Sequence, residues 1–309
     1  MKPRDRLLLP LCLGVLYVVW GSTYLAQRIA VAGIPPLQMA AVRFLVAGGI
    51  LYGALRARGM TPPDGPQWRA ATFSALPLMG LGMGTAAVAL QRVPSGLAAL
   101  MFGTVPLWAS LFDRMLGGRR PRGLELVGLG VGFAGVALVA SRGALGADPV
   151  GAALIAFSAA SYAFGCMATR RAPLAPGVMG TASQMLAGGA LLAVGSLLRG
   201  EPIGPVSVRA AGALAYLVVF GSLVAYSAFG WLLKNARPAL ATSYAYVNPI
   251  IALALGAALG GERFTRADYA GLVLVLGAVA LVAWAQRSGA RVARAPTLQP
   301  VRDEAATEV

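Results

Sequence analysis

The sequence predicts an all-α membrane protein with ten transmembrane helices in two inverted five-helix repeats. Three observations lead there. Of 309 residues, 58% are apolar and only 12% charged, and the mean hydropathy is +0.71, well outside the balance of a soluble globular domain. Residues 93–140 return without a gap 143 positions later as 236–283, with 15 identities in 48 pairs, where so biased a composition would give roughly five by chance. Lys and Arg collect on alternate loops between the apolar runs, which sets an orientation.

A span needs about 20 largely apolar residues. Ten segments meet or approach that: 7–27, 36–55, 70–90, 96–116, 124–141, 151–169, 179–198, 209–233, 239–259 and 268–286. The first follows Lys2, Arg4 and Arg6 as a secretory signal would, but its apolar run is too long and has no convincing small-residue cleavage site, so it reads as span 1. Pro62-Pro63-Asp64-Gly65 separates spans 2 and 3, and Arg171-Ala172-Pro173 separates spans 6 and 7, punctuation expected of helix ends. Spans 4 and 5 lie in the first ungapped copy and spans 9 and 10 in the second. Upstream the match continues with small register shifts. At offset 142 Trp20 meets Tyr162 and Arg28 meets Arg170; at offset 141 Arg43-Phe44 meets Gln184-Met185. Spans 1–5 therefore correspond to spans 6–10, with a first repeat at 1–145, a second at 146–287 and a polar tail at 288–309 expected to be disordered. Five is odd, so the second copy crosses the bilayer upside down relative to the first.

The net charge of +15 raises the question of nucleic acid, and its distribution answers it. There is no basic stripe with interleaved aromatics, which argues against that partner. Threaded with the N-terminus inside, 18 Lys and Arg fall on the cytoplasmic side and seven outside, with Arg43 within span 2. The positive-inside rule then puts both termini in the cytoplasm of a bacterial-type inner membrane. Divergence follows the same topology: Gly117-Gly118-Arg119-Arg120 is cytoplasmic, and its external counterpart Gly260-Gly261-Glu262-Arg263 has exchanged one Arg for Glu. The chain has no histidine, its two cysteines (Cys12 and Cys166) lack metal-ligand spacing, and no acid sits at mid-span. An enzyme would need a nucleophile, an acid and a base inside the bundle, so catalysis and a cofactor are not expected. Proton coupling lacks its usual intramembrane carboxylate or histidine.

Polar residues within apolar spans mark the candidate functional surface, because such a face must look into protein or water. Span 1 brings Trp20, Thr23, Tyr24 and Gln27 to one face at i, i+3, i+4 and i+7. Two readings stand: a cavity wall, or interhelical hydrogen bonding with an aromatic belt, Gln27 being nearer the second because it lies close to the helix end. Span 6 repeats the spacing with Ser158, Ser161, Tyr162 and Gly165. Tyr162 mates with Trp20, so both copies can offer an aromatic to one central space, while the serines suit close helix packing equally well. In span 9, Thr242, Tyr246 and Pro249 share a face, and Tyr244 and Asn248 point elsewhere, toward a neighbouring helix. Pro249 and its mate Pro106 each remove a backbone hydrogen bond and should kink their helices. The freed carbonyls either face a polar path or are satisfied by Ser and Thr.

Arg43 is the sharpest single residue. It lies eight residues into span 2, where an unpaired guanidinium costs about 2.5–3.5 kcal/mol at the bilayer centre. A substrate carboxylate or a gating contact would offset that cost; so would pairing with carbonyls, or snorkelling to the interface.

Trp20-Gly21-Ser22-Thr23-Tyr24, Val42-Arg43-Phe44, Val93-Pro94-Ser95-Gly96, and the run from Pro238 to Pro249 followed by Gly260-Gly261-Glu262 together resemble EamA-type members of the drug/metabolite transporter superfamily. In detail the chain looks like the YedA-like inner-membrane transporters within it, and the resemblance extends from span 1 to span 10. The resemblance implies a secondary transporter, exporting a small amphipathic metabolite, an amino-acid-related compound or a drug by alternating access. A passive facilitator or exchanger is the alternative, and a structural membrane protein would instead have a dry, sealed centre. It also implies a central cavity bounded by spans 1, 3, 4, 6, 8 and 9, with spans 5 and 10 available for a homodimer contact. The cavity candidates are then Trp20, Thr23, Tyr24, Arg43, Thr104, Trp108, Ser158, Tyr162, Gln184, Tyr226, Thr242, Tyr246 and Asn248, with Pro106 and Pro249 as gating kinks. The implied partners are a small-molecule substrate and the lipid bilayer. Where the family often carries Gly-Glu-Arg after the fourth span, this chain has Gly118-Arg119-Arg120, which weakens any role for an acid there.

Overall fold

The computed structural model describes residues 3–115, 123–143, 148–202, 204–236 and 243–292. Among them every regular element is a helix. Nine of the described helices are long and apolar enough to span a membrane: α1 (Leu7–Val31), α2 (Pro36–Ala57), α3 (Gly65–Ala89), α4 (Ser95–Met115), α5 (Leu124–Arg142), α6 (Pro149–Arg171), α7 (Val178–Leu198), α8 (Val208–Leu232) and α10 (Arg266–Ala285). The shorter apolar helix α9 (Tyr244–Leu259) lies between the last two. The chain thus builds ten helices in two sets of five. Thr242, Arg119 and residues 293–309 of the tail lie outside the described residues.

Helix ends follow local chemistry. Asp64 opens α3 with a capping box, its carboxylate accepting the Gln67 N–H at 2.8 Å while the Gln67 side chain accepts the Asp64 N–H at 3.1 Å. Asp148 caps α6 and Ser207 caps α8 through the N–H groups of Gly151 and Ala210. Pro35 leads into α2, whose orphan donors are met from a distance: Glu201 accepts from Leu37 N–H at 3.2 Å and Gln38 N–H at 2.9 Å. The positive φ of Gly200 (+65°) turns the chain so that Glu201 can reach back.

In lipid no hydrophobic force draws helices together, so close packing depends on small residues. Two crossings bring repeat mates together, α2 on α7 and α5 on α10, and their contacts are reciprocal. A Cβ on Gly48 would lie 3.0 Å from Leu186 N, and one on Gly189 would lie 2.9 Å from Leu45 N; both glycines and both leucines are paired at offset 141. A Cβ on Gly128 would strike Val282, and one on Gly271 would strike Val139, again mated pairs. Exchange of partners in this way is the mark of a two-fold axis between the copies, and five helices per copy make it an inverting one. The rest obeys the axis: α1 packs on α8 and α9 as α6 packs on α3 and α4, and α4 meets α9. Gly128, Gly132 and Gly135 of α5 and Gly271 of α10 therefore pack within the chain, whereas Gly130 and Gly277 face open space. The outward faces of both helices carry apolar groups such as Leu126 and Val273, the latter 70% exposed, suited to lipid.

Three helices depart from regular geometry. Over Leu76–Met83 in α3 and Leu217–Val224 in α8 the turns widen to i→i+5, and the two stretches are mates at offset 141; Leu16–Trp20 in α1 does the same. In α4 the helix breaks at Gly103-Thr104, between Ser95–Phe102 and Val105–Met115. Pro106 sits just beyond the break, and its missing N–H leaves the Phe102 carbonyl without a helical donor. Pro249 stays inside α9.

Candidate functional site

A cavity of about 330 Å³ lies between the two copies, walled by α1, α2, α3, α4, α6, α8, α9 and Ala283 of α10. All four polar-face residues of α1, Trp20, Thr23, Tyr24 and Gln27, line it, and Tyr162 of α6 faces them from the other copy. The mated stretches of α4 and α9 contribute the same positions: Phe102, Gly103, Val105 and Pro106 from one, Ala245, Tyr246, Asn248 and Pro249 from the other. The axis thus fixes the site's shape, but the α9 wall is polar where the α4 wall is not.

Aromatic rings form most of the lining. Trp20 stands edge-on to Tyr244 at 4.6 Å and to Tyr226 at 5.5 Å between centroids. Tyr24, Phe102 and Tyr162 form a second chain at 5.8 and 5.5 Å. Such T-shaped contacts hold rings rigid. The Trp20 indole N–H donates to the Gly221 carbonyl at 3.3 Å, inside the widened turns of α8. Those turns thus supply a carbonyl that a regular helix would keep for itself.

Arg43 enters this wall from α2, 4% exposed, and its Nε donates to Ser222 Oγ of α8 at 3.1 Å. Its guanidinium carbon lies 5.1 Å from the ring of Phe44. Among the described residues no carboxylate lies within ion-pair distance of it. Gly221 makes room for it: a Cβ there would lie 3.3 Å from Arg43 Nη2 and 2.9 Å from Thr23 Cγ2. Asn248, 7% exposed, has an Oδ1 with no hydrogen-bond partner among the described residues, a costly state for a buried amide unless something donates to it.

Four expected wall residues are elsewhere. Thr104 is fully buried in the break of α4, where its hydroxyl donates to the Met101 carbonyl at 2.5 Å. Trp108 packs its ring on Phe133 of α5 at 4.8 Å and on Phe112. Ser158 donates to Gly82 O at 2.7 Å, satisfying a carbonyl in the widened turns of α3. Gln184 donates to Ser74 Oγ at 2.8 Å and Thr169 Oγ1 at 3.0 Å. Conversely Tyr244 and Asn248, expected to point away from the face of Tyr246 and Pro249, line the cavity with them. The single-face reading of residues 242–249 is too narrow, because α9 presents all four of these residues to the same space. Gln27, read as nearer to interhelical bonding than the rest of its face, also lines the wall, and Phe102 was missed. The repeat held a signal for Phe102, since its mate Ala245 adjoins Tyr246.

A second space of about 630 Å³ opens at the face that carries the N-terminus, lined by Pro106, Ala109, Ser110, Asp113, Met167, Arg170 and Arg171. Pro106 borders both spaces. At its rim Arg171 pairs with Asp113 at 3.1 Å, both groups substantially exposed.

The EamA-like transporter family matches residues 8–141 and 149–284, one segment in each copy of the repeat. The chain belongs to that family. It is a membrane transporter of the EamA type, 44% identical over 284 residues to the Escherichia coli (strain K12) inner membrane transporter YedA, covering 90% of this chain and 92% of that one. Protein PecM of Dickeya dadantii is 27% identical over 270 residues, covering 85% and 88%. A crystal structure with 23% sequence identity superposes with a TM-score of 0.62 over 90% of this chain and 98% of the other, which speaks to the shared fold alone.

Proposed function

We propose that this EamA-type transporter exports small amphipathic metabolites or drugs that carry an anionic group, amino-acid-related compounds among them, by rocking its two halves about the central cavity. The observation that carries this reading is Arg43: a buried guanidinium at the cavity wall with a serine as partner and, among the described residues, no carboxylate at ion-pair distance. A substrate carboxylate would complete it with charge-assisted hydrogen bonds. The aromatic lining suits an apolar body, and the Asn248 Oδ1, without a partner among the described residues, suits a donor on the same molecule. The charge asymmetry of the loops supports both termini in the cytoplasm, and the likeness to an inner membrane transporter supports that membrane. The N-terminal vestibule is then the route in from the cytoplasm. A homodimer through α5 and α10 would have to use their outward faces, which carry Gly130, Gly277 and apolar groups such as Leu126 and Val273.

Tracer uptake into inside-out vesicles, compared with right-side-out ones, tests the direction. Uptake confined to right-side-out vesicles would overturn export, and equal flux without any imposed gradient requirement would favour the passive facilitator. At equal expression Arg43→Gln should abolish selectivity for anionic over neutral tracers, and Arg43→Lys should keep part of it; undiminished transport by both would remove Arg43 from the mechanism.

A further inference from the structure

The loop between α9 and α10 sets one carboxylate where three elements meet, on the face opposite the N-terminus. Glu262, its side chain 1% exposed, accepts the Ser95 N–H at 2.7 Å, the Ser95 hydroxyl at 2.7 Å and the Gly96 N–H at 3.0 Å at the start of α4, and it pairs with the Arg28 guanidinium at the end of α1. The turn is shaped to deliver it. Gly261 takes φ +64°, the Glu262 N–H returns to the Gly256 carbonyl at 2.9 Å, and a Cβ on Gly256 would fall 2.4 Å from Glu262 Oε2. Four donors on one buried carboxylate tie a loop of the second copy to two helices of the first.

The mated positions on the N-terminal face cannot build this. Arg28 corresponds to Arg170, Glu262 to Arg119 and Ser95 to Pro238. Proline has neither N–H nor hydroxyl and arginine accepts no hydrogen bond, so both halves of the bond are missing from the sequence there. Arg119 and Pro238 lie outside the described residues, and Arg170 lines the open vestibule.

We propose that Glu262 is a one-sided latch: it holds the far end of the cavity shut, so the chain rests open toward its N-terminal face and opens on the far face only when the Glu262 contacts part. Its purpose rests on the alternating-access reading above; its test does not. Removing one partner of a buried charged pair is strongly unfavourable for the state that contains it, so loss of the latch shifts the balance toward the far-open state.

The test uses a chain carrying Cys12→Ser and Cys166→Ser with one reporter, Phe102→Cys, a partly exposed position on the α4 wall of the cavity two turns inside Ser95. A membrane-impermeant maleimide is applied to right-side-out and inside-out vesicles. The parent should label from the N-terminal face; Glu262→Gln should raise labelling from the far face about tenfold or more, Arg28→Gln and Ser95→Ala less, and Glu262→Asp least. Thermal melts in detergent identify folded variants, and should Glu262→Gln fail to fold, Arg28→Gln and Ser95→Ala carry the test. Far-face labelling equal in the parent and in every folded variant overturns the latch, as does a parent already labelled from the far face. Tracer flux in the same vesicles separates the two readings: shifted labelling without any flux keeps the latch and removes transport, whereas unshifted labelling removes the latch whatever the flux.

Discussion

Arg43 and Gln184 are repeat mates on the two helices that cross at the two-fold axis, yet they are used in opposite ways. Arg43 reaches the cavity, lies against the Phe44 ring and donates to Ser222 of α8. Gln184 turns into the bundle, where Ser74 of α3 and Thr169 of α6 accept both of its amide hydrogens' bonds. Each residue finds a serine on the mated neighbour helix, so the scaffold is common and the chemistry is not. Duplication fixes where a side chain can project; whether it serves the cavity or the packing depends on whether its polar atoms are already satisfied. The Gln184 amide donates to two hydroxyls inside the bundle, whereas the Arg43 guanidinium stands at the cavity wall and donates to the Ser222 hydroxyl.

The largest effect expected from breaking this pair follows directly. Arg43→Gln should lower flux of an anionic tracer about 100-fold per folded molecule, with little change in melting temperature. Gln184→Leu should do the reverse, keeping flux per folded molecule while losing about 1 kcal/mol of stability, the scale of a side-chain hydrogen bond inside a membrane bundle. Detergent thermal melts paired with vesicle flux check both. If the two variants lost flux alike, the division of labour between the copies would be wrong.

The sequence made the scaffold legible because both its signals are global. Apolar length marks the spans, and the ungapped repeat ties α4 and α5 to α9 and α10 whatever the local geometry. The α1 wall of the cavity was legible from spacing alone. Trp20, Thr23 and Tyr24 follow ideal spacing and line the wall. Thr104 and Trp108 lie at and beyond the break in α4, which shifts their direction, and Tyr244 lies at the start of described α9. The widened turns of α3 and α8 left no mark in the residue pattern, and they decide where Ser158 and Trp20 find their carbonyl acceptors, Gly82 and Gly221.

Those widened turns offer a second, milder comparison. Gly221 and Gly80 are mates at offset 141 within them. A Cβ on Gly221 would crowd Thr23 and Arg43, whereas one on Gly80 would meet only Leu76 Cδ1 at an ordinary 3.5 Å. Gly221→Ala should therefore displace the guanidinium and cut anionic flux about tenfold, a near 1.4 kcal/mol effect, and Gly80→Ala should leave flux unchanged. Dose–response curves for one anionic and one neutral tracer would sharpen the result, since a loss confined to the anionic tracer assigns the effect to Arg43 rather than to helix packing.

The smallest effect separates two ion pairs beside loops of the far face. Glu262 and Arg28 form a pair whose acid is buried; Asp148 and Arg92, at 2.9 Å, are both exposed. The Asp148 carboxyl is nevertheless held below its usual value, first by the Gly151 N–H and then by the Arg92 side chain. A depressed acid stabilises the fold above its unfolded pKa of about 3.9 and loses that contribution as pH falls through the lower folded value. Asp148→Ala should therefore lower the melting temperature slightly at pH 7, by the same amount at pH 5.5, and by less below about pH 4, where the parent loses its own advantage. Flux should not change, because water screens an exposed pair and the cap holds only the first turn of α6. A variant that altered far-face labelling as Glu262→Gln does would show that exposure is not what distinguishes the two pairs.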